Sequence, residues 1–391
     1  MIGIDLVNIK KFKEKKYIEK IFTENELSYA NKKENKNQSL AGMFAAKEAI
    51  VKACGLKLSS ILKKRIEIIH INNKPYGLLD NKLWLNISIS HDQDYAIALC
   101  LIGKKPDFKV DKNVKKIVNK RNKFSHKGDF GKVAVIGGSK GMSGSVYLTS
   151  IASLRSGCGL SYIICPSSIS KILQIKANES IIEEVSCEKF CYNEKIKSEI
   201  LSYLDKKDSL AIGPGMSKSK TLNKLLSSII KNYDKNIVID ADGLNALSED
   251  LSILGYNKNI VLTPHMMEFS RLTKIPIKKI EKNKIEIAKK FAKDHEIVLV
   301  LKGHNTVVTD GFYIYINKTG NSGMASAGSG DVLTGIILSN LAIMNPLDAS
   351  ILSVYIHGLA GDFAKYKLGE DSLIASDIVN NISEAYKLLR K

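Results

Sequence analysis

The stretch Gly320-Asn-Ser-Gly-Met-Ala-Ser-Ala-Gly-Ser-Gly-Asp-Val-Leu-Thr-Gly335 joins a run of glycines to one carboxylate and then to an apolar segment of helical character. At a helix start the backbone N–H groups are unpaired, and the helix dipole adds a partial positive charge there. Gly328 and Gly330 allow the backbone to approach an anion closely, and Asp331 then lies where it could deprotonate an attacking hydroxyl. The pattern predicts a phosphate cradle, and a glycine-rich turn whose aspartate caps a helix is the simpler alternative.

Around this stretch, short apolar strands alternate with helical segments from Phe130 onward. Such alternation predicts an α/β domain with a mainly parallel sheet that is covered on both faces. Polar or glycine residues follow several strands, which is where open parallel sheets bind ligands. The predicted strands are Lys132–Ile136, Leu160–Cys165, Leu210–Ile212, Ile237–Ile239, Ile260–Leu262 and Ile297–Leu301.

Residues 1–103 mix predicted helices with predicted strands and therefore indicate a separate α+β domain. Residues 104–127 are basic, polar and weakly periodic, which predicts a linker or a loosely attached helix, and residues 128–391 form the second domain. The strands predicted in the first domain are Ile2–Ile9, Arg65–Ile71, Trp84–Ser90 and Tyr95–Ile102, and the helices are Glu24–Ala30 and Gly42–Cys54.

The composition restricts the classes of partner. The net charge is +19, but the lysines are spread through the chain and accompany abundant Asn and Ile, which indicates a compositional bias rather than a nucleic-acid-binding face. A basic surface still favours acidic proteins and phosphates. No apolar run reaches the length of a membrane span, and no signal peptide is recognised, so we expect a cytoplasmic protein without membrane association. The six cysteines lack zinc-site spacing and are expected to be reduced.

Three short motifs in the first domain carry candidate metal and phosphate ligands: Gly3-Ile-Asp5, Phe44-Ala-Ala-Lys-Glu48-Ala and Ser90-His91-Asp92. A carboxylate in the first strand and one on a helix can share Mg²⁺, which takes one or two protein carboxylates together with phosphates and water. Lys47 and Lys52 flank Glu48 and could hold further phosphates. Taken alone, Glu48 fits an exposed helix charge better than a ligand.

Together these motifs resemble the holo-[acyl-carrier-protein] synthase family of 4′-phosphopantetheinyl transferases over about the first hundred residues. The resemblance implies that Asp5 and Glu48 are catalytic and coordinate Mg²⁺ on the pyrophosphate of coenzyme A, and that Lys52 and His91 line the coenzyme A site. Phosphopantetheine would move to a serine of acyl carrier protein. The family forms trimers with sites between subunits, so we expect a homo-oligomer. Arginine is usual at the positions of Met43 and Lys11, and an inactive docking module is therefore the alternative.

A second ordered set of motifs extends from about residue 110 to the end. It resembles the ADP/ATP-dependent NAD(P)H-hydrate dehydratase family, which has a ribokinase-like fold. The implied reaction dehydrates hydrated NAD(P)H while ADP or ATP is hydrolysed, and a ribokinase-like vitamin or sugar kinase is the alternative. The motifs are Lys127-Gly-Asp-Phe-Gly131, Gly137-Gly-Ser-Lys-Gly-Met-Ser-Gly-Ser145, Asp240-Ala-Asp-Gly-Leu-Asn245, Thr263-Pro-His265, Ala327-Gly-Ser-Gly-Asp331 and Tyr355-Ile-His-Gly-Leu-Ala-Gly361.

The dehydratase resemblance implies a role for each matching residue. Asp331 is the expected base. Asp240, Asp242 and Asn245 either shape the site or its metal or cap their loops, and His265 is either a substrate contact or a turn residue. The side chain of His304 fits an exposed position. The anion hole is implied to be Gly328, Ser329 and Gly330, the nucleotide loop Lys302, Gly303, His304, Asn305 and Thr306, and the contacts to the hydrate Ser145, Gly213 and His265.

Overall fold

A computed structural model of the chain describes residues 1–13, 17–71, 74–80, 83–101, 108, 110–118 and 121–390. The chain divides into two compact units, residues 1–108 and residues 109–391. Each unit has its own sheet and its own buried core.

The first unit is a five-stranded antiparallel sheet in the order β1-β5-β4-β3-β2, against which one long helix packs. That helix, α3, begins where the Asn35 side chain accepts from Gln38 N and ends at left-handed Gly55. The elements of the first unit are β1 (Ile2–Asn8), a 3₁₀ helix (Ile9–Lys13), α1 (Ile18–Ile21), α2 (Glu24–Asn31), α3 (Lys36–Cys54), α4 (Ser59–Leu62), β2 (Ile66–Ile71), β3 (Lys74–Leu79), β4 (Leu83–Asp92) and β5 (Tyr95–Leu101).

The second unit alternates strands and helices along most of its length. Its elements are α5 (Lys112–Ile117), a 3₁₀ helix (Lys127–Phe130), β6 (Lys132–Ile136), α6 (Ser143–Ser156), β7 (Leu160–Pro166), α7 (Ser167–Lys176), β8 (Ile181–Val185), α8 (Glu194–Leu204), β9 (Ser209–Ile212), α9 (Leu222–Lys231), β10 (Asn236–Ile239), α10 (Asp242–Leu247), a 3₁₀ helix (Leu251–Tyr256), β11 (Ile260–Leu262), α11 (Met266–Thr273), α12 (Ile277–Lys282), α13 (Lys284–Asp294), β12 (Val298–Leu301), β13 (Val307–Thr309), β14 (Ile314–Ile316), a 3₁₀ helix (Ser322–Met324), α14 (Ser329–Leu341), α15 (Pro346–Leu368) and α16 (Ala375–Arg390).

The nine strands of the second unit lie in the order β14-β13-β12-β11-β10-β9-β6-β7-β8, and only the β12-β13-β14 edge is antiparallel. The chain moves outward in one direction from β6 to β8 and in the other from β9 to β12. The loops that follow β6 and β9 therefore diverge, and a crevice opens between them at the carboxyl ends of the strands, which is where such sheets bind ligands. The predicted fold class, α+β followed by α/β with a mainly parallel sheet, is confirmed.

The sequence predictions omitted the shortest and most exposed strands. β3 and β8 carry mixed polar and apolar residues, and β13 and β14 have three residues each. None of these four strands is a run of aliphatic residues only, which is the pattern that identified equally short buried strands such as β11.

Part of the segment that we predict as a linker, 104–107, lies outside the described residues. Its described portion from residue 110 lies in the second unit, where Val114 of α5 is buried and Asp111 N donates to Tyr355 Oη at 3.1 Å.

No helix among the described residues is long and apolar enough to span a bilayer.

Candidate active sites

Two helices bring Asp331 and Ser145 together. Asp331 lies in the first turn of α14, and its Oδ2 accepts a hydrogen bond from Ser145 Oγ at 2.7 Å. One helical turn further along, Gly335 lies against α6 so closely that an added Cβ would be 2.1 Å from Thr149 O. Only glycine permits this approach of the two helices. The Asp331–Ser145 contact therefore depends on the glycine that follows it in the same helix.

A buried ion pair lies beside Asp331. Asp240, which follows β10, accepts from Lys302 Nζ at 2.7 Å through Oδ1 and from Thr334 Oγ1 at 2.7 Å through Oδ2. Lys302 Nζ also lies 3.4 Å from the place that a Cβ of Gly330 would occupy. The ammonium group is thus held against the glycine turn at the start of α14, where the phosphate cradle is predicted.

The protonation states of this cluster suit a base beside a cation. Burial raises the pKa of Asp331 to about 6; the hydrogen bond from Ser145 and the charge of Lys302 oppose the rise, and Asp240 and Asp242 add to it. Burial lowers the pKa of Lys302, but the charges of Asp240 and Glu268 outweigh it and the net pKa is raised. At neutral pH the Asp331 carboxylate is therefore ionised and basic enough to accept a proton, and Lys302 is charged.

Of the residues predicted to contact the hydrate, Ser145 lies on α6, and Gly213 and His265 lie on the loops after β9 and β11. Gly213 follows β9 and lies directly against Asp240 O. His265 caps α11, because its Nδ1 accepts from Met267 N at 3.1 Å and from Glu268 N at 3.3 Å. Burial, aided by the charge of Lys302, lowers the pKa of His265 and keeps the imidazole neutral. The turn-residue interpretation of His265 thus describes its Nδ1, and its Nε2 lies 3.5 Å from Oε1 of Glu268 in the same capping box.

The two aspartates of the loop after β10 are both bound to protein groups. Asp240 is occupied by Lys302 and Thr334, and Asp242 Oδ2 accepts from Ser217 N at 2.8 Å. Asp240 thereby connects the loop after β10 to β12 and α14, and Asp242 connects it to the loop after β9.

In the predicted nucleotide loop 302–306, the middle residues are exposed to solvent and the first residue contacts the buried Asp240. Gly303, His304 and Asn305 are exposed, and the carbonyls of His304 and Asn305 accept from Lys284 Nζ at 3.3 and 3.0 Å. Thr306 Oγ1 donates to Gly303 O at 3.0 Å. Lys284 thereby fixes the exposed part of the loop, whereas Lys302 turns inward to Asp240.

One residue of this site was missed at the level of sequence. His357 of α15 has its Nε2 3.0 Å from Ser329 O in the first turn of α14. Burial lowers the pKa of His357 to about 4, so its imidazole is neutral and Nε2–H donates to that carbonyl. The signal was available, because a lone histidine interrupts the apolar motif Tyr355–Gly361.

The first unit holds a separate pair of carboxylates. Gly3 of β1 lies so close to α3 that an added Cβ would be 2.0 Å from Ala49 O. This approach brings Asp5, on the same face of β1, beside Glu48 of α3. Lys52, one helical turn after Glu48, donates from Nζ to Asp5 Oδ1 at 2.6 Å.

The carboxylate pair fits a divalent cation. Asp5 Oδ2 is buried and has no hydrogen-bond partner among the described residues. Burial, followed by the hydrogen bond and negative charge of Asp5, raises the pKa of Glu48 to about 7, and Lys52 and Lys11 oppose this. Two facing carboxylates repel each other, and either a shared proton or a bound cation relieves this repulsion. Mg²⁺ takes one or two protein carboxylates in its sites. The donor set therefore suits Mg²⁺ completed by phosphate and water oxygens.

Of the basic residues near this pair, Lys47 lies in a different environment from the one that the sequence predicts. His91 of β4 packs against α3, with Nε2 2.7 Å from the place of a Gly42 Cβ, and burial lowers its pKa. The hypothesis that Lys47 holds phosphates is wrong. Lys47 is fully buried and pairs with Glu26 at 2.8 Å. Consecutive helix residues point about 100° apart, so the helix that presents Glu48 to β1 directs Lys47 into the core.

Comparison with known protein families agrees with this division into two sites. The family model of NAD(P)H-hydrate dehydratases matches residues 133–384. The chain belongs to this family. The model of the 4′-phosphopantetheinyl transferase superfamily matches residues 1–100, so a domain of that superfamily precedes the dehydratase-family domain. Both resemblances recognised from the sequence are confirmed at the level of the family.

Individual relatives of the dehydratase family extend the comparison. The chain is 38% identical over 266 residues to a bifunctional NAD(P)H-hydrate repair enzyme of Moorella thermoacetica, covering 67% of this chain and 50% of that protein. It is 33% identical to an ADP-dependent (S)-NAD(P)H-hydrate dehydratase of Neisseria meningitidis, covering 69% of this chain and 88% of the relative. The chain thus spans about half the length of the bifunctional relative.

The fold of the dehydratase-family domain also matches a solved structure. An ADP/ATP-dependent NAD(P)H-hydrate dehydratase of Bacillus subtilis, crystallised with ATP and Mg²⁺, aligns with a TM-score of 0.61 at 25% identity, over 71% of this chain and 96% of that chain. The second unit therefore has the ribokinase-like fold of these dehydratases. Lys302 follows β12 at the carboxyl end of that strand, and it lies against the glycine turn that precedes Asp331.

Proposed function

We propose that the chain is a bifunctional enzyme. The second unit would dehydrate (6S)-NAD(P)H hydrate with ADP or ATP, and the first would transfer 4′-phosphopantetheine from coenzyme A to a serine of acyl carrier protein. The observation that carries the proposal is that each compact unit contains its own reactive cluster, Asp331 with Ser145 in one and Asp5 with Glu48 in the other. The cytoplasmic location and the absence of nucleic-acid and membrane partners stay predictions.

Dehydration needs a better leaving group than hydroxide, and the Asp331 cluster can provide it. The Asp331 carboxylate takes the proton of the substrate hydroxyl as that oxygen attacks the terminal phosphorus of the nucleotide. The bond between this phosphorus and its bridging oxygen breaks, and AMP leaves if the nucleotide is ADP. The C–O bond to the new phosphate then breaks, the neighbouring carbon loses a proton, and the dihydropyridine ring is restored with release of phosphate.

The surrounding groups would stabilise the charge that develops in this transfer. The first N–H groups of α14, at Gly328, Ser329 and Gly330, would face the transferred phosphoryl group, although Ser329 N also donates to Ser326 O at 3.3 Å. Lys302 would add a cation at the same place. His357 holds Ser329 O and so fixes the turn that presents these donors. The exposed loop 303–306, anchored by Lys284, would bind the rest of the nucleotide through its backbone.

The base assignment predicts the pH dependence of dehydration. Only ionised Asp331 accepts the proton, so kcat/KM should fall about tenfold per pH unit below about 6 and be constant above that value. In Ser145→Ala the hydrogen bond that lowers this pKa is lost, and the acid limb should move to higher pH. Measuring kcat/KM between acid and neutral pH for both proteins tests the assignment. An acid limb that stays in place in Ser145→Ala would argue for another base.

A ribokinase-like vitamin or sugar kinase remains the alternative for the second unit. The two activities differ in the fate of the phosphoryl group, because a dehydratase ends with free phosphate and a kinase with a stable phosphorylated product. Phosphate release that requires NADH hydrate supports the proposal. Accumulation of a phosphorylated vitamin or sugar would replace it with the kinase.

For the first unit, the proposal rests on the Asp5–Glu48 pair. These carboxylates would hold Mg²⁺, which supplies charge neutralisation on the pyrophosphate of coenzyme A when bound. Lys52, which contacts Asp5, and His91, which lies against Gly42 of α3, would bind phosphate groups of coenzyme A. A mass increase of acyl carrier protein on incubation with coenzyme A and Mg²⁺ tests this, and failure to modify any acyl carrier protein would favour the docking module.

The outer face of the β1–β5 ribbon supports the expected homo-oligomer. The edge strand β1 exposes three large apolar side chains on one face. These are Ile2, Ile4 and Leu6, which are 65%, 53% and 60% exposed. They pair directly with Leu101, Leu99 and Ile97 of β5 on the same face. A continuous exposed apolar face of this kind marks an interaction surface. We propose that a second copy of the chain covers it.

Placing a charge on this face should dissociate the oligomer. We expect Leu6→Lys to sediment as a single chain while the unchanged protein sediments as an oligomer, because an unpaired charge cannot be buried in an apolar interface. Ile175→Lys is the matched control, since Ile175 is 81% exposed but lies in the second unit. Equal sedimentation of Leu6→Lys and the unchanged protein would exclude the β1–β5 face as the interface.

A further inference from the structure

A cleft of about 340 Å³ lies next to the Asp331 cluster and has no part in the reaction described above. It lies between the loop after β9 and the helices α10 and α11. Its lining includes two cations, Lys218 and Arg271, two carboxylates, Asp242 and Glu249, and the hydroxyl of Ser219. Leu222 and Ala246 contribute apolar surface. The cleft thus combines phosphate-binding, hydroxyl-binding and apolar groups in a volume within the range of small-ligand pockets.

The cleft is built in advance of any ligand. Arg271 is exposed to it, but its guanidinium is held by Asn245 Oδ1, to which Nη1 donates at 2.9 Å, and by Met267 Sδ at 3.4 Å. On the opposite side, Asp242 Oδ2 accepts from Ser217 N and fixes the loop that carries Lys218. A guanidinium held in one orientation loses little freedom when it binds a phosphate.

The cleft is lined by elements that also carry the reactive cluster. Asp242 lies two residues after Asp240, which binds Lys302, and Arg271 lies on α11, the helix that His265 caps. A dinucleotide whose nicotinamide end reaches Asp331 must place its other half in a neighbouring region of the surface. The nucleotide co-substrate has a separate location, since the loop 302–306 follows β12, on the far side of β11 from the cleft's β9 and β10 loops.

We propose that this cleft binds the adenylate half of the dinucleotide substrate and that Arg271 recognises one of its phosphates. The proposal rests on the dehydratase function proposed above. Asp242 and Ser219 offer hydrogen bonds to ribose hydroxyls, in the way that carboxylates bind ribose in dinucleotide sites. Leu222 and Ala246 offer the apolar surface that a base requires. Arg271 is thereby a specificity-determining residue that acts on substrate binding rather than on proton transfer.

The test is a comparison of Arg271→Ala and Arg271→Lys with the unchanged protein. At saturating ADP, the KM for NADH hydrate should rise about tenfold or more in Arg271→Ala, and less in Arg271→Lys, because a hydrogen bond between charged groups is lost. The kcat and the KM for ADP should change by no more than about twofold. Lys258→Ala is the charge-matched control, since Lys258 is an exposed residue that precedes β11, at the opposite end of the strand from the loops that line the cleft.

A truncated substrate makes the test specific. Hydrated reduced nicotinamide mononucleotide lacks the adenylate half, so its KM should be the same in Arg271→Ala and the unchanged protein. If the KM rises more for NADPH hydrate than for NADH hydrate, Arg271 binds the 2′-phosphate. If both KM values rise equally while that of the truncated substrate is unchanged, Arg271 binds the adenylate phosphate of the pyrophosphate. Either result supports the proposal. Unchanged KM values for both dinucleotides, or an increase only in the KM for ADP, would overturn it.

Failure of the proposed function gives a different result. If the unchanged protein does not convert NADH hydrate at all, the dehydratase assignment fails. Binding of the product NADH, followed by its fluorescence, then still tests the cleft. Arg271→Ala should weaken that binding about tenfold, and equal affinity in the two proteins would exclude the cleft as a dinucleotide site.

Discussion

Replacement of Asp331 by Asn should reduce the kcat for dehydration by about a thousandfold or more, because a positioned general base contributes factors of this size. The variant keeps the shape of the side chain, and the amide oxygen can still accept from Ser145 Oγ. Folding and nucleotide binding should therefore be preserved. The measurements are the turnover of NADH hydrate at saturating ADP and the affinity for ADP by calorimetry.

Two controls separate loss of the base from general damage. Asp294→Asn removes a carboxylate from an exposed ion pair with Lys290 on α13 and should leave turnover unchanged. Pantetheinyl transfer by Asp331→Asn should also be normal, because that site lies in the other compact unit. Turnover of Asp331→Asn within a fewfold of the unchanged protein would show that another group takes the proton.

Replacement of Glu48 by Gln should abolish pantetheinyl transfer and leave dehydration intact. The amide cannot provide the second negative ligand for Mg²⁺, and loss of a direct ligand should exceed the roughly 10–100-fold effect that outer residues of metal sites produce. The measurement is the rate of mass increase of acyl carrier protein at fixed coenzyme A, over a range of Mg²⁺ concentrations.

The pattern of activities decides what the Glu48 result means. Glu34→Gln changes an exposed glutamate of the same unit and should transfer at the normal rate. Loss of both activities in Glu48→Gln would indicate coupled domains or misfolding instead of a local metal site. Normal transfer by Glu48→Gln would remove this residue from the site.

The sequence predicted the fold well where elements are long and periodic. The alternation of strands and helices after Phe130 correctly predicted the mainly parallel sheet. The glycines before Asp331 correctly predicted where α14 begins. Short edge strands such as β13 and β14 were missed because each includes Thr or Tyr, whereas the equally short β11 was predicted from its wholly aliphatic sequence.

The side-chain environment within an element was harder to predict. Lys47 and Glu48 are adjacent on α3, yet one is buried against Glu26 and the other faces Asp5. Sequence spacing places two such residues about 100° apart but does not say which of them faces the strand. The lone histidine of the motif Tyr355–Gly361 marks His357 as a candidate, but its partner could not be predicted, because Ser329 belongs to a different helix and the contact exists only after α14 and α15 have packed.

The most direct test of the central claim is the conversion of NADH hydrate to NADH by the purified chain, with ADP and ATP assayed side by side. We predict that the dihydropyridine absorbance returns only when a nucleotide is present and that one phosphate is released for each NADH formed. No conversion with either nucleotide, in a preparation that is folded and binds ADP, would contradict the assignment of the second unit as a nucleotide-dependent dehydratase.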